Sequence, residues 1–447
     1  MTQGYYAGIS GLQTNQYGLD VIADNLANIS TTAYKGTSTE FSDLFSKVLT
    51  SSNASTPTSD DIGLGAQLQA TSFQMEQGSL MPSDRFTDLA LEGSGWFGVV
   101  SSNNQNSFSR DGHFTFDTYQ QTAGDVNSSS ARLVTADGQY VTGTMLTNFA
   151  YNASFDYGDS VSNGTSGAYV IRNATNDAPL SAVASQGKLE FPTRLAYPVE
   201  PTTEASFFGN LGVDNEVRAI SADIISATNE RNRLKLTFTQ SAIQPATGIA
   251  WDVVATSTSN DGSVVYDTQN GQALFGESGA LSSFTLPSVN NDGTPVTIDL
   301  GSNYSGVIAI DSVGISGSSQ TDGISGGTLT NYGINSDGMI IADFSNGRQS
   351  AIGRVAVYHF QNEQGLNREG GTYYQESSDS GKPFFFTDAS GNAITGANVR
   401  SGMLEASNVR MEVGLTDMII MQRAYQANSK TITTVDEMIQ KALQMRR

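Results

Sequence analysis

Two stretches at opposite ends of this chain carry an apolar stripe at helical spacing, and no comparable stretch lies between them. Near the start, Leu12, Leu19, Ile22 and Leu26 fall at intervals of seven, three and four, with Ala23 and Ala27 beside them. That spacing lines one face of a helix, expected over about residues 5–28. Asn28, Ser30, Thr31 and Thr32 soften its end, because their side chains compete for the backbone. The helical pattern resumes after Gly402. Leu404, Met411, Leu415, Met418, Gln422 and Tyr425 are spaced by seven, four, three, four and three. Ile432, Val435, Ile439 and Leu443 continue at three, four and four. Gln422 is the polar member of the first set. As a buried amide in a helix seam it fixes register; at the border of the stripe it has no such role.

An apolar stripe must be covered. Polar linker follows the first helix and loop-rich sequence precedes the second, so neither has an obvious core beside it. The economical arrangement pairs the two with each other. A lone pair still leaves apolar surface open, which copies from other subunits can cover. Ends of this kind are poorly ordered in a lone monomer. The pattern is that of a self-assembling protein.

Between the ends the periodicity is that of strands. After TTAYKG, FSDLFSKVL reads as a second, shorter helical piece, and SSNASTPTSDD as loop. From about residue 85, LALEGSGWFGVV, FSRDGHFTFD and RLVTADGQYVTG are short alternating or aromatic runs interrupted by glycine. Asp111-Gly112 and Asp137-Gly138 supply hairpin-turn chemistry. Leu234–Gln240 and Trp251–Thr256 are further strands, and DSVSNGTSG and GSSQTDGISGG are loops. Beyond Asn335-Ser336-Asp337-Gly338 come MIIADF, AIGRVAVYHF and an aromatic run at residues 384–386. The expected fold class is mainly β with terminal α-helices that pair as a coiled-coil-like element. The expected division is residues 1–30 and 408–447 as the helix pair, 31–84 as a connecting segment, 85–150 and 326–407 as a proximal β-domain, and 151–325 as an inserted outer β-domain.

Charge narrows the function. The 447 residues hold 44 acidic and 23 basic side chains, a formal net charge of -21. Nucleic acid rewards clustered lysine and arginine and is excluded as a partner. Residues 81–400 carry -17 of that charge, so the middle repels non-specific contacts while the ends are comparatively neutral. Cysteine is absent, which removes disulfides and thiolate metal sites. The first residues lack the basic and apolar regions of a secretory signal peptide. No run of eighteen apolar residues exists for a membrane helix.

Catalytic constellations are equally sparse. Neither histidine, His113 or His359, has a second histidine or a cysteine at ligand spacing. GISGG at residues 323–327 matches G-x-S-x-G but has polar loop before it, where a nucleophile elbow needs a buried strand. Dinucleotide and Walker fingerprints are missing. Asp156 and Asp159 lie outside any calcium-loop pattern. The chain reads as no enzyme, without cofactor or metal. Two other classes compete with the assembly reading. An extracellular β-domain adhesin needs no paired end helices, and a glycan-active enzyme needs two carboxylates facing one cleft.

The stripes also carry a family resemblance. SGLQTNQYGLDVIADNLANISTTAYKG, from Ser10 to Gly36, resembles the N-terminal signature of the bacterial flagellar rod and hook proteins, with matches that include Asn25, Asn28 and Lys35. Ala33 departs from it, standing where relatives often have a glycine that permits positive φ; another turn geometry is one way to accommodate alanine. Ser401–Leu443 is similar to the family's C-terminal helix, with Glu405, Asn408, Gln422, Arg423, Tyr425 and Asn428 at recurring positions. Arg410 stands where relatives often have aspartate. The likeness is specific over residues 1–150 and 330–447 and weak through 155–325. The β-rich insert and the segment around Asp337-Gly338, Phe360 and Gly365-Leu366 resemble the hook form more than the shorter distal-rod form.

The resemblance implies a structural subunit of the flagellar hook, with a distal rod or other hook-like axial protein as the alternative. Such a subunit leaves the cell unfolded through the flagellar type III export apparatus without a cleaved signal peptide. It polymerises into a curved extracellular tube that transmits motor torque and encloses the export channel. Implied partners are further copies of the chain, the hook cap, the distal rod and the hook–filament junction proteins. The inner seam is expected at Leu12, Leu19, Ile22, Leu26, Leu415, Met418, Gln422, Tyr425 and Ile432.

Overall fold

A computed structural model describes residues 2–44, 47–48, 61–120, 129–152, 167–312 and 315–445. Helix α1 spans Thr2–Ala27 and helix α2 spans Met411–Gln444, and they lie antiparallel along each other. Glu412 in the first turn of α2 and Lys441 in its last turn both complement the helix dipole. None of the α2 residues is fully buried. Among the described residues, everything regular between the helices is strand, apart from two single turns of 3-10 helix at Val183–Ser185 and Glu363–Gly365.

The first β unit is a ribbon. Thr37–Asp43 pairs antiparallel with Ala66–Phe73, with a register shift between Glu40 and Phe41. It lies along α1, where the Thr14 hydroxyl donates to the Ala66 carbonyl at 3.0 Å. The helical expectation for FSDLFSKVL is therefore corrected: Phe41–Asp43 is strand, and the Leu44 amide donates to the Gly65 carbonyl. Four to five apolar residues cannot tell a short helix from a strand by spacing alone. The loop expected at SSNASTPTSDD lies outside the described residues except Asp61, which is strand, and DSVSNGTSG lies outside them except Gly167.

The proximal body is one large sheet of sixteen described strands. Its spine runs Phe149–Asn152, Ala168–Ile171, Leu195–Tyr197, Gly327–Ile334, Met339–Phe344, Gln349–Val355, Tyr140–Met145, Trp96–Val100 and Asn106–Ser109. Leu89, Phe97, Phe114, Leu133, Phe191 and Ile352 fill its core, each at 0 % exposure. A second, aromatic cluster sets Trp96, Phe108, Tyr358, Phe360 and Tyr374 together on the side nearer the ribbon, whose Phe73 packs against it. Turn chemistry is used at Asp137-Gly138, where Gly138 has φ +78, and at Asn335–Gly338, where Gly338 has φ +72. Asp111-Gly112 is different. Its flanking strands pair with other neighbours, and Gly112 is needed because an added Cβ would lie 1.7 Å from the Leu89 carbonyl oxygen.

The insert begins later than the sequence suggests. Strands between residues 149 and 197 pair within the proximal sheet, and Ile171, Leu189, Phe191, Leu195 and Tyr197 belong to its core. The chain leaves and returns through a neck where Glu200 bridges Ile324. The Thr203 and Glu204 amides there donate to Asp322 Oδ1 at 2.9 and 3.0 Å. Beyond the neck, a five-stranded meander from Arg218–Ile225 to Leu281–Thr285 packs against a second sheet built on Glu204–Asn210. Strict alternation in Arg231–Gln240 turns Leu234, Leu236 and Phe238 inward, all at 0 % exposure, beside Trp251 and Phe207. Part of GSSQTDGISGG, expected as loop, is strand Ile315–Thr321, paired with Glu204–Asn210. Glycine and serine weaken strand propensity, but pairing against an apolar neighbour overrides it.

One further correction concerns the second helix. Leu404 is not part of it; Met403–Glu405 is a strand paired with Leu80–Pro82. The seven-residue step from Leu404 to Met411 spans this strand and the turn into α2, so its helical spacing is fortuitous.

Candidate assembly surface: the terminal helix pair and its anchor

Glycine sets the seam between α1 and α2. Gly4, Gly11 and Gly18 repeat every seven residues, with Gly8 one turn from two of them, so they form a groove along α1. Opposite, Gly414, Met421, Asn428 and Val435 repeat every seven residues on α2. A Cβ built on Gly4 would lie 3.6 Å from Val435, on Gly8 2.8 Å from Ile432, on Gly11 2.6 Å from the Asn428 amide nitrogen, and on Gly18 3.2 Å from Met421. At the far end the arrangement inverts, and a Cβ built on Gly414 would lie 3.8 Å from Leu26. Large residues of one helix thus sit over glycines of the other, which brings the two backbones close. The leucine-based expectation missed this groove. Its signal was present as glycines spaced by four, three and seven within a stretch otherwise helical.

The expected seam residues divide. Leu12, Leu19, Ile22 and Leu26 are half-buried on α1, with Leu12 and Leu19 one position round from the glycine groove and Leu26 facing Gly414, and Met418 and Ile432 are half-buried on α2. Leu415, Gln422 and Tyr425 are exposed. Gln422 follows the seam residue Met421 and points out of this pair; the amide in the seam is that of Asn428. Arg423 is exposed too, and its guanidinium donates to Gln426 one turn on. The pair therefore presents open apolar side chains: Tyr6 and Tyr17 on α1, and Leu415, Ile419, Ile420, Met438 and Leu443 on α2, from 44 to 65 % exposed. Exposure of so many large apolar side chains along one helix pair fits an association surface.

An anchor ties the pair to the β-body. The Asn25 side chain donates to the Thr37 carbonyl at 2.7 Å and accepts from the Thr37 amide at 2.9 Å, closing the turn after α1. Asn28 donates to the Asp24 carbonyl at 2.8 Å, satisfying the helix end. Asn408 bridges three segments: it accepts from the Gly36 amide at 2.8 Å and donates to the carbonyls of Gln74 and Glu76 at 2.7 and 3.0 Å. Ala33 keeps a positive φ of +56, so the turn retains the geometry that glycine favours. In that conformation the Ala33 amide donates to the Glu405 carbonyl at 2.8 Å.

At the centre of the anchor, Lys35 Nζ lies 2.8 Å from Glu405 Oε1 and Arg110 Nη1 lies 3.3 Å from Glu405 Oε2. Lys35 is 1 % exposed, Glu405 1 % and Arg110 3 %. Lys35 also donates to the Glu76 carbonyl, and the Gly78 amide donates to Glu405. Burial pushes the Lys35 ammonium below its ordinary pKa, and the Glu405 carboxylate opposes that shift. One carboxylate thus holds a cation from the segment after α1 and another from the proximal sheet, immediately before α2. Beside it, burial raises the Tyr34 phenol, whose hydroxyl donates to Asp24 while Arg368 covers its ring at 4.7 Å.

His359 is buried, with Nε2 2.7 Å from the Thr395 carbonyl, and His113 meets Arg85 at 2.8 Å. Among the described residues, no three of His, Cys, Asp or Glu converge on a metal position. Among the described residues, no helix is long and apolar enough to cross a membrane.

Comparison with known proteins places both ends of the chain. Residues 6–35 match the family "Flagella basal body rod protein", and residues 400–445 match "Flagellar basal body rod FlgEFG protein C-terminal". The chain is 27 % identical over 475 aligned positions to the flagellar hook protein FlgE of Borreliella burgdorferi, covering 100 % of both chains. It is 26 % identical to that of Treponema pallidum, again over 100 % of both. To that of Salmonella typhimurium it is 26 % identical over 98 % of each chain. 

Proposed function

We propose that this chain, a homologue of the bacterial flagellar hook proteins within the rod and hook axial family, is a structural subunit that polymerises into the extracellular flagellar hook. The observation that carries the reading is the end-to-end alignment with hook proteins, insert included. The helix pair gives it a physical basis: its outer faces are apolar and unpartnered in a single chain. Its role is architectural, not catalytic.

A tube that grows without closing on itself needs heterologous contacts, in which each copy offers the next a different surface. Residues 1–30 and 408–447 serve as the inner layer, with the half-buried Leu12, Leu19, Ile22, Leu26, Met418 and Ile432 supporting the pair. The outward Leu415, Gln422 and Tyr425 meet neighbouring copies. The proximal sheet and the insert beyond the neck form outer layers. Their acidic, polar faces make weaker and wetter contacts that exchange as the tube bends. The hook cap, distal rod, junction proteins and type III export apparatus are the partners that a hook subunit meets. Immuno-electron microscopy of the producing bacterium tests the reading. Label on the short curved segment between cell envelope and filament is expected; label confined to the cell surface away from flagella overturns it.

A further inference from the structure

Two hairpin turns of the insert meet beside the neck, where Asn229 Oδ1 accepts from the Gly326 amide at 2.8 Å. One turn, at residues 226–230, belongs to the five-stranded meander; the other, at residues 291–294, belongs to the second sheet. Asn229 and Asp292 bend them with φ of +68 and +47. Thr228 Oγ1 donates to Asp292 Oδ2 at 3.2 Å, and the Asn232 amide donates to Asn291 Oδ1 at 2.7 Å. The Tyr266 hydroxyl closes the third side, lying against the Asn232 and Glu230 side chains. Desolvation, and after it the charges of Glu230 and Asp292, push this phenol above its ordinary pKa. Neither of those carboxylates has an ion pair among the described residues. A second observation is independent of the charges. Asn232 is 1 % exposed, yet its Oδ1 has no hydrogen-bond partner among the described residues. Its side chain points into the gap between the turns, towards Asn291 and Tyr266. A buried amide oxygen without a donor calls for a partner of positive charge or a water.

We propose that Glu230, Asp292, Asn232 Oδ1 and the Tyr266 hydroxyl form a site for a hard divalent cation, calcium, which ties the two sheets of the insert together next to the neck. Every ligand is an oxygen, which selects calcium or magnesium over the metals that prefer nitrogen and sulfur. The turns are irregular and partly open, which suits the flexible, water-completed coordination of calcium and not the strict octahedron of magnesium. The ion neutralises both carboxylates and gives Asn232 Oδ1 its partner. With two carboxylates, the affinity belongs to the weak class, with Kd about 10⁻⁴–10⁻³ M. The site uses no surface of the helix pair.

Calorimetric titration of calcium chloride into the chelator-treated full chain tests the site. Saturable binding of one ion is expected, with a calcium-dependent rise in unfolding temperature that magnesium reproduces less well. Glu230→Gln combined with Asp292→Asn keeps the shape of both side chains and should weaken binding by about tenfold or more. Asp299→Asn combined with Asp311→Asn, at two other exposed carboxylates of the insert, should leave it unchanged. Fluorescence of the buried Trp251 reads whether each variant keeps the insert core. If the double variant unfolds, Glu230→Gln alone, at an exposed side chain, carries the comparison. No saturable binding up to about 10 mM calcium overturns the site, and so does binding that the folded Glu230 variants retain in full.

Discussion

Gly11 and Asn428 face each other so closely that one added methyl carbon on Gly11 would lie 2.6 Å from the Asn428 amide nitrogen. A carbon added at Gly4, two helical turns away, would lie 3.6 Å from Val435. The seam is therefore tight at its middle and relaxed at its end.

That contrast predicts opposite outcomes for two similar changes. Gly4→Ala should stabilise the pair by up to about 1 kcal/mol, because alanine favours helix and meets only ordinary contact. Gly11→Val should destabilise it by about 1–3 kcal/mol, through overpacking against Asn428. Helix content followed by circular dichroism during heating separates the two, with the β-body melting unchanged in both. Equal tolerance at the two sites contradicts a glycine-set seam.

The buried Lys35–Glu405–Arg110 group should respond asymmetrically. Glu405→Gln strands two buried cations and should cost about 3–5 kcal/mol. Lys35→Met leaves Glu405 with Arg110 and the Gly78 amide and should cost clearly less. Urea unfolding followed through Trp96, in a Trp251→Phe background, reads both. A smaller loss for Glu405→Gln than for Lys35→Met contradicts the account of the anchor.

How much of this was legible beforehand follows the physics of each signal. The two helices and two strands of the insert, Leu234–Gln240 and Trp251–Thr256, were readable, because Leu19, Met418 or Leu234 and Leu236 repeat with a clear period. The glycine groove was not read, because a hydrophobic stripe draws attention to the leucines one position away. Leu404 joined the helix by spacing alone, although Gly402, with φ +69, leads into a strand. The Lys35–Glu405 pair spans 370 residues, and no local pattern reveals such a partner. The described strands Phe149–Asn152, Ala168–Ile171, Glu190–Pro192 and Leu195–Tyr197 belong to the first sheet because of long-range pairing, which composition does not encode.

Ala33 holds φ +56 at the anchor, a backbone region that costs a residue with a Cβ about 1 kcal/mol. Ala33→Gly should therefore raise the urea midpoint slightly, offset in part by the added freedom of the unfolded chain. A clear loss of stability contradicts the strain.

Alkaline pH should unfold the β-body through its tyrosines. Burial raises the phenols of Tyr34, Tyr358, Tyr373 and Tyr374 above 10.0, with Tyr373 pushed up to about 12. The folded chain keeps protons that the unfolded chain has released, so stability present below pH 10 is lost as pH rises towards about 12. Lys35 acts with the opposite sign: its lowered pKa makes its contribution rise with pH up to 10.5. The net loss is expected above that point. Tyr373→Phe should soften it, as followed by tyrosinate absorbance alongside circular dichroism.

The central claim is that the terminal helices make the chain polymerise. Electron cryomicroscopy of the purified full chain, beside a chain lacking residues 1–30 and 408–447, tests it most directly. The account predicts hollow tubes from the full chain and folded monomers from the shortened one. Tubes from the shortened chain, or none from the full chain under any assembling condition, would contradict it.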